Sequence, residues 1–187
     1  MRPLLILFLS GFVFAGMPSA AVGSSAPAFS LQDQNGNTVN LADLKDKVVV
    51  LEWTNPDCPF VVRHYKQGTM KALAEKYQGE VVWLAINSTH YSNPEANKAW
   101  AESKKLNYAI LDDHEGKVGK MYGAQTTPHM YVINKGVLVY VGAIDDDPRG
   151  NGSQINYVDQ ALTEIKAGKA VSAPQNKPYG CSVKYGS

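Results

Sequence analysis

The chain has 187 residues, of which 44% are hydrophobic and 19% are charged. This length suits one domain with a buried core, and the composition excludes an intrinsically disordered chain. The formal net charge of +1 excludes the strongly basic surface of a nucleic-acid-binding protein and gives no attraction to an anionic membrane.

The N-terminus has the pattern of a secretory signal peptide. Arg2 provides the positive start, the apolar run from Leu4 to Phe14 follows, and small residues stand before Gly23. The run is shorter than the roughly 20 residues that a spanning helix needs. We therefore predict a signal peptide over residues 1–22 and a periplasmic or secreted protein that has no membrane contact after cleavage. An uncleaved signal anchor is the alternative.

Turn residues and apolar runs next predict a hairpin, a strand and a helix. Asn35-Gly36 favours a two-residue turn in a hairpin over residues 29–40. The apolar run 48–53 predicts a strand buried on both faces, and Pro59 predicts a helix that extends to about Tyr77. The core-facing stripe of this helix is predicted from spacings of three and four to consist of Val62, Tyr65, Thr69, Leu73 and Tyr77.

The rest of the chain alternates strands and helices and ends in a hairpin and a helix. Strands are predicted at 81–86, 108–111, 130–133 and 137–141, and helices at 94–105, 117–122 and 155–167. This order predicts an α/β fold with a mixed central sheet, helices on both faces and an N-terminal β-hairpin. We expect one domain over residues 26–168, followed by a C-terminal tail over residues 169–187.

Cys58 stands between the first buried strand and the helix that begins at Pro59. The unpaired N–H groups and the dipole at a helix start favour an anion, so a thiolate there has a lowered pKa and is a good nucleophile. The alternative is a small buried side chain.

These segments resemble the thioredoxin-like superfamily, in particular its redoxin branch of alkyl hydroperoxide reductase, thiol-specific antioxidant and TlpA-like proteins. The resemblance rests on the hairpin, the strand 48–53, the turn Asp57-Cys58-Pro59-Phe60 and the segment Thr126-Thr127-Pro128. It implies a thioredoxin fold and a thiol oxidoreductase that uses no cofactor or metal. Its substrate would be a thiol or disulfide protein or a hydroperoxide, and a thiol reductant would restore it.

The resemblance also assigns roles to residues around Cys58. Pro128 matches the family's cis proline, and the backbone of Thr127 would then face the thiol and pair with an extended substrate. Pro59 is expected to contribute to the same substrate-binding surface. Glu52 stands six residues before Cys58, where thioredoxins hold a buried acid that carries a proton during thiol exchange. The alternative for Glu52 is an ion pair with Lys45 or Lys47.

Two departures from the family patterns leave the reaction open. Val61 replaces the second cysteine of the thioredoxin Cys-x-x-Cys motif, so Cys58 cannot close a local disulfide. Leu51 and Asn55 replace the proline and the threonine of the peroxiredoxin pattern. The sequence therefore does not decide between peroxide reduction and disulfide exchange.

Cys181, in the tail, is the second cysteine of the chain. It has three interpretations: a redox partner that docks on Cys58 and resolves it, one end of a structural disulfide, or an independent thiol.

Two other classes of function remain as alternatives. Cys58, His64 and His129 are a candidate ligand set for copper(I), because a thiolate and imidazoles suit that ion. Trp53, Phe60 and Tyr65 are candidates for an apolar patch of a protein that binds peptides without catalysis.

Overall fold

The structure is a computed structural model that describes residues 20–186. Residues 1–19, which carry most of the predicted signal peptide, lie outside the described residues. The strands are β1 Ser30–Asp33, β2 Thr38–Asn40, β3 Val48–Trp53, β4 Val81–Asn87, β5 Ala109–Asp112, β6 Thr126–Thr127, β7 His129–Asn134, β8 Val137–Gly142 and β9 Cys181–Ser182. The helices are α1 Pro59–Gln67, α2 Thr69–Lys76, α3 Pro94–Lys104, α4 Lys117–Tyr122 and α5 Tyr157–Lys166, with a short 3₁₀ helix at Leu41–Leu44.

The described strands form a central sheet of seven strands in the order β2-β1-β5-β4-β3-β7-β8. β3, β4 and β5 are parallel neighbours, whereas β7 and β8 pair antiparallel. The short strands β6 and β9 pair with each other outside this sheet. The predicted α/β architecture with a mixed sheet and an N-terminal hairpin is therefore confirmed.

Two apolar clusters cover the two faces of the sheet. On one face, α2, α3 and α5 pack against side chains such as Val50 and Met130. On the other face, α4 and the 3₁₀ helix pack against side chains such as Leu51 and Tyr131. The alternation of inward side chains along β3 and β7 assigns neighbouring residues to opposite clusters. β3 is thus buried on both faces, as its apolar sequence predicts.

The prediction of a single helix from Pro59 to Tyr77 is wrong, because the helix is interrupted at Gly68. Gly68 has a φ of 74° and caps α1, and α2 begins at the next residue. Of the predicted core-facing stripe, Leu73 and Tyr77 are buried and Tyr65 packs against the same core. The fully buried residues of α1 are Val61 and His64, which the predicted stripe did not include.

The hairpin is confirmed, but its predicted two-residue turn is wrong. β1 and β2 are joined by a longer loop, in which the Asp33 carboxylate accepts hydrogen bonds from the backbone N–H groups of Asn35 (2.8 Å) and Asn37 (2.9 Å). Gly36 adopts a φ of 82° in this loop. The Asp33 carboxylate thus satisfies backbone N–H groups of the loop, and this favours the longer loop over a two-residue turn.

The segment after α5 runs across the body of the protein. The backbone of Pro174 and Asn176 bonds to Val141 at the edge of β8, and β9 pairs with β6. The backbone N–H of Val183 donates to Gln125, and that of His90 donates to Lys184. Within residues 20–186, no helix has the length and apolarity needed to cross a membrane. The division of the chain at residue 168 stays a prediction.

Candidate active site

Cys58 is the N-cap residue of α1, and Pro59 is the exposed first residue of that helix. Cys58 is buried, with 2% of its surface exposed. The thiol donates a hydrogen bond to the backbone oxygen of Thr127 at 2.9 Å. The Thr127–Pro128 peptide bond is cis, which confirms the predicted geometry. The predicted neighbours Cys58, Thr127 and Pro128 therefore meet at one point.

Cys181 lies at the same point. It faces Thr127 in the antiparallel pairing of β6 and β9, and the backbone oxygen of the same Thr127 accepts the hydrogen bond from the Cys58 thiol. Both cysteines are free thiols in this structure. The predicted docking of Cys181 beside Cys58 is thus observed in the reduced state.

The surroundings of the two thiols shift their pKa values in opposite directions. Burial raises the pKa of Cys58, but its polar surroundings, chiefly Cys181 and Thr127, outweigh burial and leave that pKa below its ordinary value. Burial and the contact with Cys58 raise the pKa of Cys181 to about 11. Cys58 is therefore the more readily ionised thiol of the pair, and Cys181 is the thiol that keeps its proton.

Glu52 is completely buried in β3. Its carboxylate accepts hydrogen bonds from the Tyr65 hydroxyl and the Trp83 indole N–H, both at 3.0 Å, and Tyr108 donates to Tyr65 in turn. Burial raises the pKa of Glu52 to about 7. The alternative of an ion pair with Lys45 or Lys47 is wrong, because the observed partners of the Glu52 carboxylate are the Tyr65 hydroxyl and the Trp83 indole.

A polar network anchors the tail two residues before Cys181. The Tyr179 hydroxyl contacts Nε2 of His64 at 3.0 Å and donates to the Asp145 carboxylate. Arg63 donates to the backbone oxygen of Asp147 at 2.8 Å, beside the Tyr179 ring. Burial lowers the pKa of His64, which favours its neutral form.

The sequence analysis did not find this anchor, because Asp145 and Tyr179 lie far from Cys58 along the chain and follow no periodic pattern. The cluster Tyr179-Gly180-Cys181 was the one available signal.

The candidate copper ligands are not brought together. Among the described residues, no group of three or more His, Cys, Asp or Glu side chains is placed to hold a metal ion. His64 bonds to Tyr179, whereas His129 is buried and contacts the Tyr131 hydroxyl through Nδ1 at 3.1 Å.

The predicted apolar patch of Trp53, Phe60 and Tyr65 is wrong. Trp53 is fully buried in the core, and Tyr65 is held by Glu52. Phe60 packs on the Tyr179 ring, with the ring centroids 5.9 Å apart.

A cleft of about 410 Å³ adjoins the loop that precedes Cys58. It is lined by Asn55, Pro56 and Asp57 of that loop and by side chains of α3 and its N-terminal approach, including Tyr91 and Trp100. Cys58 is not one of its lining residues, so the cleft gives no access to the thiol.

Residues 22–141 match the AhpC/TSA family. The chain is 30% identical to the thiol-disulfide oxidoreductase ResA of Bacillus subtilis over 65% of its own length and 66% of that protein. It is 30% identical to the chloroplastic peroxiredoxin Q of Arabidopsis thaliana over 85% of its own length and 72% of that protein. It thus spans about two thirds of the length of these curated relatives.

The crystal structure of an uncharacterised conserved protein from Geobacillus kaustophilus superimposes with a TM-score of 0.81 at 32% identity, covering 89% of this chain and 93% of that one. These similarities confirm the predicted thioredoxin fold and the redoxin branch.

Proposed function

The chain belongs to the AhpC/TSA family, and on that premise we propose that it is an exported thiol-dependent oxidoreductase whose Cys58 and Cys181 cycle between two thiols and one disulfide. The observation that carries the proposal is the meeting of both cysteines at Thr127: the Cys58 thiol donates to its backbone oxygen, and Cys181 faces it in the pairing of β6 and β9. The signal-peptide pattern of residues 1–22 supports export.

With a disulfide substrate, the Cys58 thiolate attacks one substrate sulfur and forms a mixed disulfide, while the other substrate sulfur leaves as a thiolate. Cys181 then attacks the Cys58 sulfur and loses its proton. The Cys58–Cys181 disulfide forms and the second substrate thiol is released. The substrate disulfide gains two electrons, which the two cysteines lose. An external thiol reductant returns the pair to the starting state.

A hydroperoxide is the second candidate oxidant, favoured by the similarity to peroxiredoxin Q. The Cys58 thiolate would attack the peroxide oxygen, form a sulfenic acid and release water or an alcohol. Condensation of the sulfenic acid with the Cys181 thiol would then give the same disulfide and release one water molecule. Leu51 and Asn55 stand where the peroxiredoxin pattern has proline and threonine, which makes disulfide exchange the first candidate.

Glu52 is our candidate for proton transfer during the exchange. A carboxyl group with a pKa of about 7 changes its protonation near neutral pH, as an acid–base group requires. Its bonds to Tyr65 and Trp83 fix its orientation on β3, the strand that leads to Cys58.

Mass spectrometry after mild oxidation tests the two-cysteine cycle. We expect a peptide that links Cys58 to Cys181 in the native chain and its return to two thiols with dithiothreitol. Cys58→Ser should abolish turnover with both a small disulfide and hydrogen peroxide. Cys181→Ser should accumulate a mixed disulfide or sulfenic acid on Cys58. If Cys181→Ser turns over at the native rate, Cys181 is not the resolving thiol.

A further inference from the structure

The tail occupies the backbone edge beside the cis proline. Thr126 and Thr127 pair with Ser182 and Cys181, so β9 takes the position that an extended segment of another protein would need in order to pair with this edge. We define the strap as residues 174–186, which bond to β8 at one end and to the loops after β4 and α4 at the other. The strap passes Cys58 at Thr127, to which both are bonded, and 2% of Cys58 is exposed.

Gly180 makes the close approach of the strap possible. Its φ is 145°, and a Cβ atom at this position would overlap the backbone oxygen of Thr127, the atom that accepts the hydrogen bond from Cys58. The obstacle is backbone, which cannot move aside as a flexible side chain could. A residue larger than glycine therefore separates β9 from β6.

Tyr179 holds the strap on α1 immediately before Gly180. Its hydroxyl bonds to His64 and Asp145, and its ring packs on Phe60. Beyond Cys181, Val183 is buried, and the Tyr185 hydroxyl donates to the backbone oxygen of Ala124 at 2.8 Å. The strap is thus anchored on both sides of Cys181.

We propose that the strap is a built-in competitor of protein partners, and that Gly180 and Tyr179 are the positioning residues that hold it over Cys58. A protein-sized thiol or disulfide reaches Cys58 only after the strap leaves β6, whereas a small molecule needs a lesser local opening. The partner that this edge fits is an extended, cysteine-bearing protein segment with a small residue before its cysteine, as in Gly180-Cys181. This inference rests on the proposed role of Cys58.

The test compares two maleimides that share one reactive group and differ in size: N-ethylmaleimide and a maleimide attached to a long polyethylene glycol chain. The rates of Cys58 modification are measured by mass spectrometry on the full chain in the Cys181→Ser background, so that no second thiol competes. Gly180→Ala should lower the preference of Cys58 for the small reagent by about tenfold or more, because the large reagent gains access. Tyr179→Phe should act in the same direction with its ring packing retained.

Gly152→Ala is the matched control. Gly152 also has a positive φ, 118°, but no atom lies within 4 Å of an added Cβ. The Gly152→Ala substitution imposes backbone strain without displacing the strap. In this control, the preference of Cys58 for the small maleimide should equal that in the Cys181→Ser background. Equal size preference in Gly180→Ala and in this background overturns the inference, as does an equal loss in the control.

Turnover separates this inference from the proposed function. In chains that retain Cys181, we expect Gly180→Ala to form the mixed disulfide between Cys58 and insulin faster than the native chain does, because only this first step needs the strap displaced. If size preference changes as expected but no chain reduces a small disulfide or a peroxide, the strap stands and the oxidoreductase proposal fails. If turnover is found without the size effect, the proposed function stands and the strap inference fails.

Discussion

At the scale of single residues, position in the fold gives two identical thiols different chemistry. Cys58 stands at the N-cap of α1, where its pKa is lowered, whereas Cys181 lies on a short strand, where its pKa is raised. The helix start was readable from Cys58-Pro59, since proline favours the first helical turn. The position of Cys181 beside Cys58 was not readable, because the distance between residues 58 and 181 in space depends on the whole fold.

The first prediction concerns the pKa of Cys58. Cys181→Ala removes the hydrogen bond that lowers this pKa, so we expect the pKa to rise. The measurement is the rate of alkylation of Cys58 by iodoacetamide as a function of pH. Cys181→Ser is the control, because its hydroxyl keeps a donor and should give a smaller rise. An unchanged midpoint in the alanine variant contradicts the assignment of Cys181 as donor.

The second prediction concerns Glu52 and the pH dependence of stability. The carboxyl group titrates near the reference pKa of 4.5 when unfolded and near 7 when folded. Between these values the folded state holds a proton that the unfolded state has lost, so the stabilisation contributed by Glu52 is complete below pH 4.5 and is lost as the pH rises through 7. The full loss amounts to about 3 kcal/mol. Glu52→Gln should remove this slope.

Urea unfolding of the reduced chain at a series of pH values from 4 to 8 measures the slope. The control is Glu102→Gln at an exposed position of α3, which should keep the pH dependence of the native chain. A slope that persists in Glu52→Gln would place the titrating group elsewhere.

At the scale of elements, the sequence predicted the strands that carry apolar runs and missed those that do not. β3 was found from its run of buried residues, and α3 from Asn93, whose side chain accepts a hydrogen bond from Ala96 N–H. β9 has two residues and exists only because β6 offers a free edge. The break at Gly68 was missed because the apolar spacing continues across it, although a glycine there permits the left-handed conformation.

The third prediction tests that break. Gly68 has a φ of 74° and no atom within 4 Å of an added Cβ, so the effect of alanine comes from its backbone conformation alone. Gly68→Ala should lower the free energy of unfolding by about 1–2 kcal/mol. Guanidinium unfolding measures this, with Gln67→Ala at the last helical position as the control. A gain in stability would mean that α1 and α2 fuse into the single helix that the sequence predicts.

At the scale of the whole molecule, the strap joins parts of the fold that are remote along the chain. It bonds to β8 at Pro174, to β6 at Cys181 and to the loop after β4 at Lys184. Sequence patterns found the α/β body because its elements are local and periodic, but they left the tail as an irregular segment. Its proline- and glycine-rich sequence has no period, and its conformation is set by the surface on which it lies.

The last prediction concerns what oxidation does to this arrangement. Cys58 and Cys181 already meet at Thr127 in the reduced chain, so we expect a disulfide to form without a new docking step. The disulfide closes a loop of roughly 120 residues, which in the chain-entropy model stabilises the fold by about 5 kcal/mol. We expect the oxidised chain to unfold at a higher guanidinium concentration than the reduced chain, with Cys181→Ser showing no such difference.

Equal stability of the oxidised and reduced chains would contradict the formation of this bridge. A large difference alone does not separate a structural bridge from a redox pair, because the entropy of the unfolded chain is the same for both. The rate of reduction separates them: a redox pair must return to two thiols within the time of one turnover. Because Cys181 is part of the strap, the reductant must reach the Cys58–Cys181 disulfide while the strap is still bound to β6. We therefore expect Gly180→Ala to speed its reduction by a protein dithiol more than by dithiothreitol.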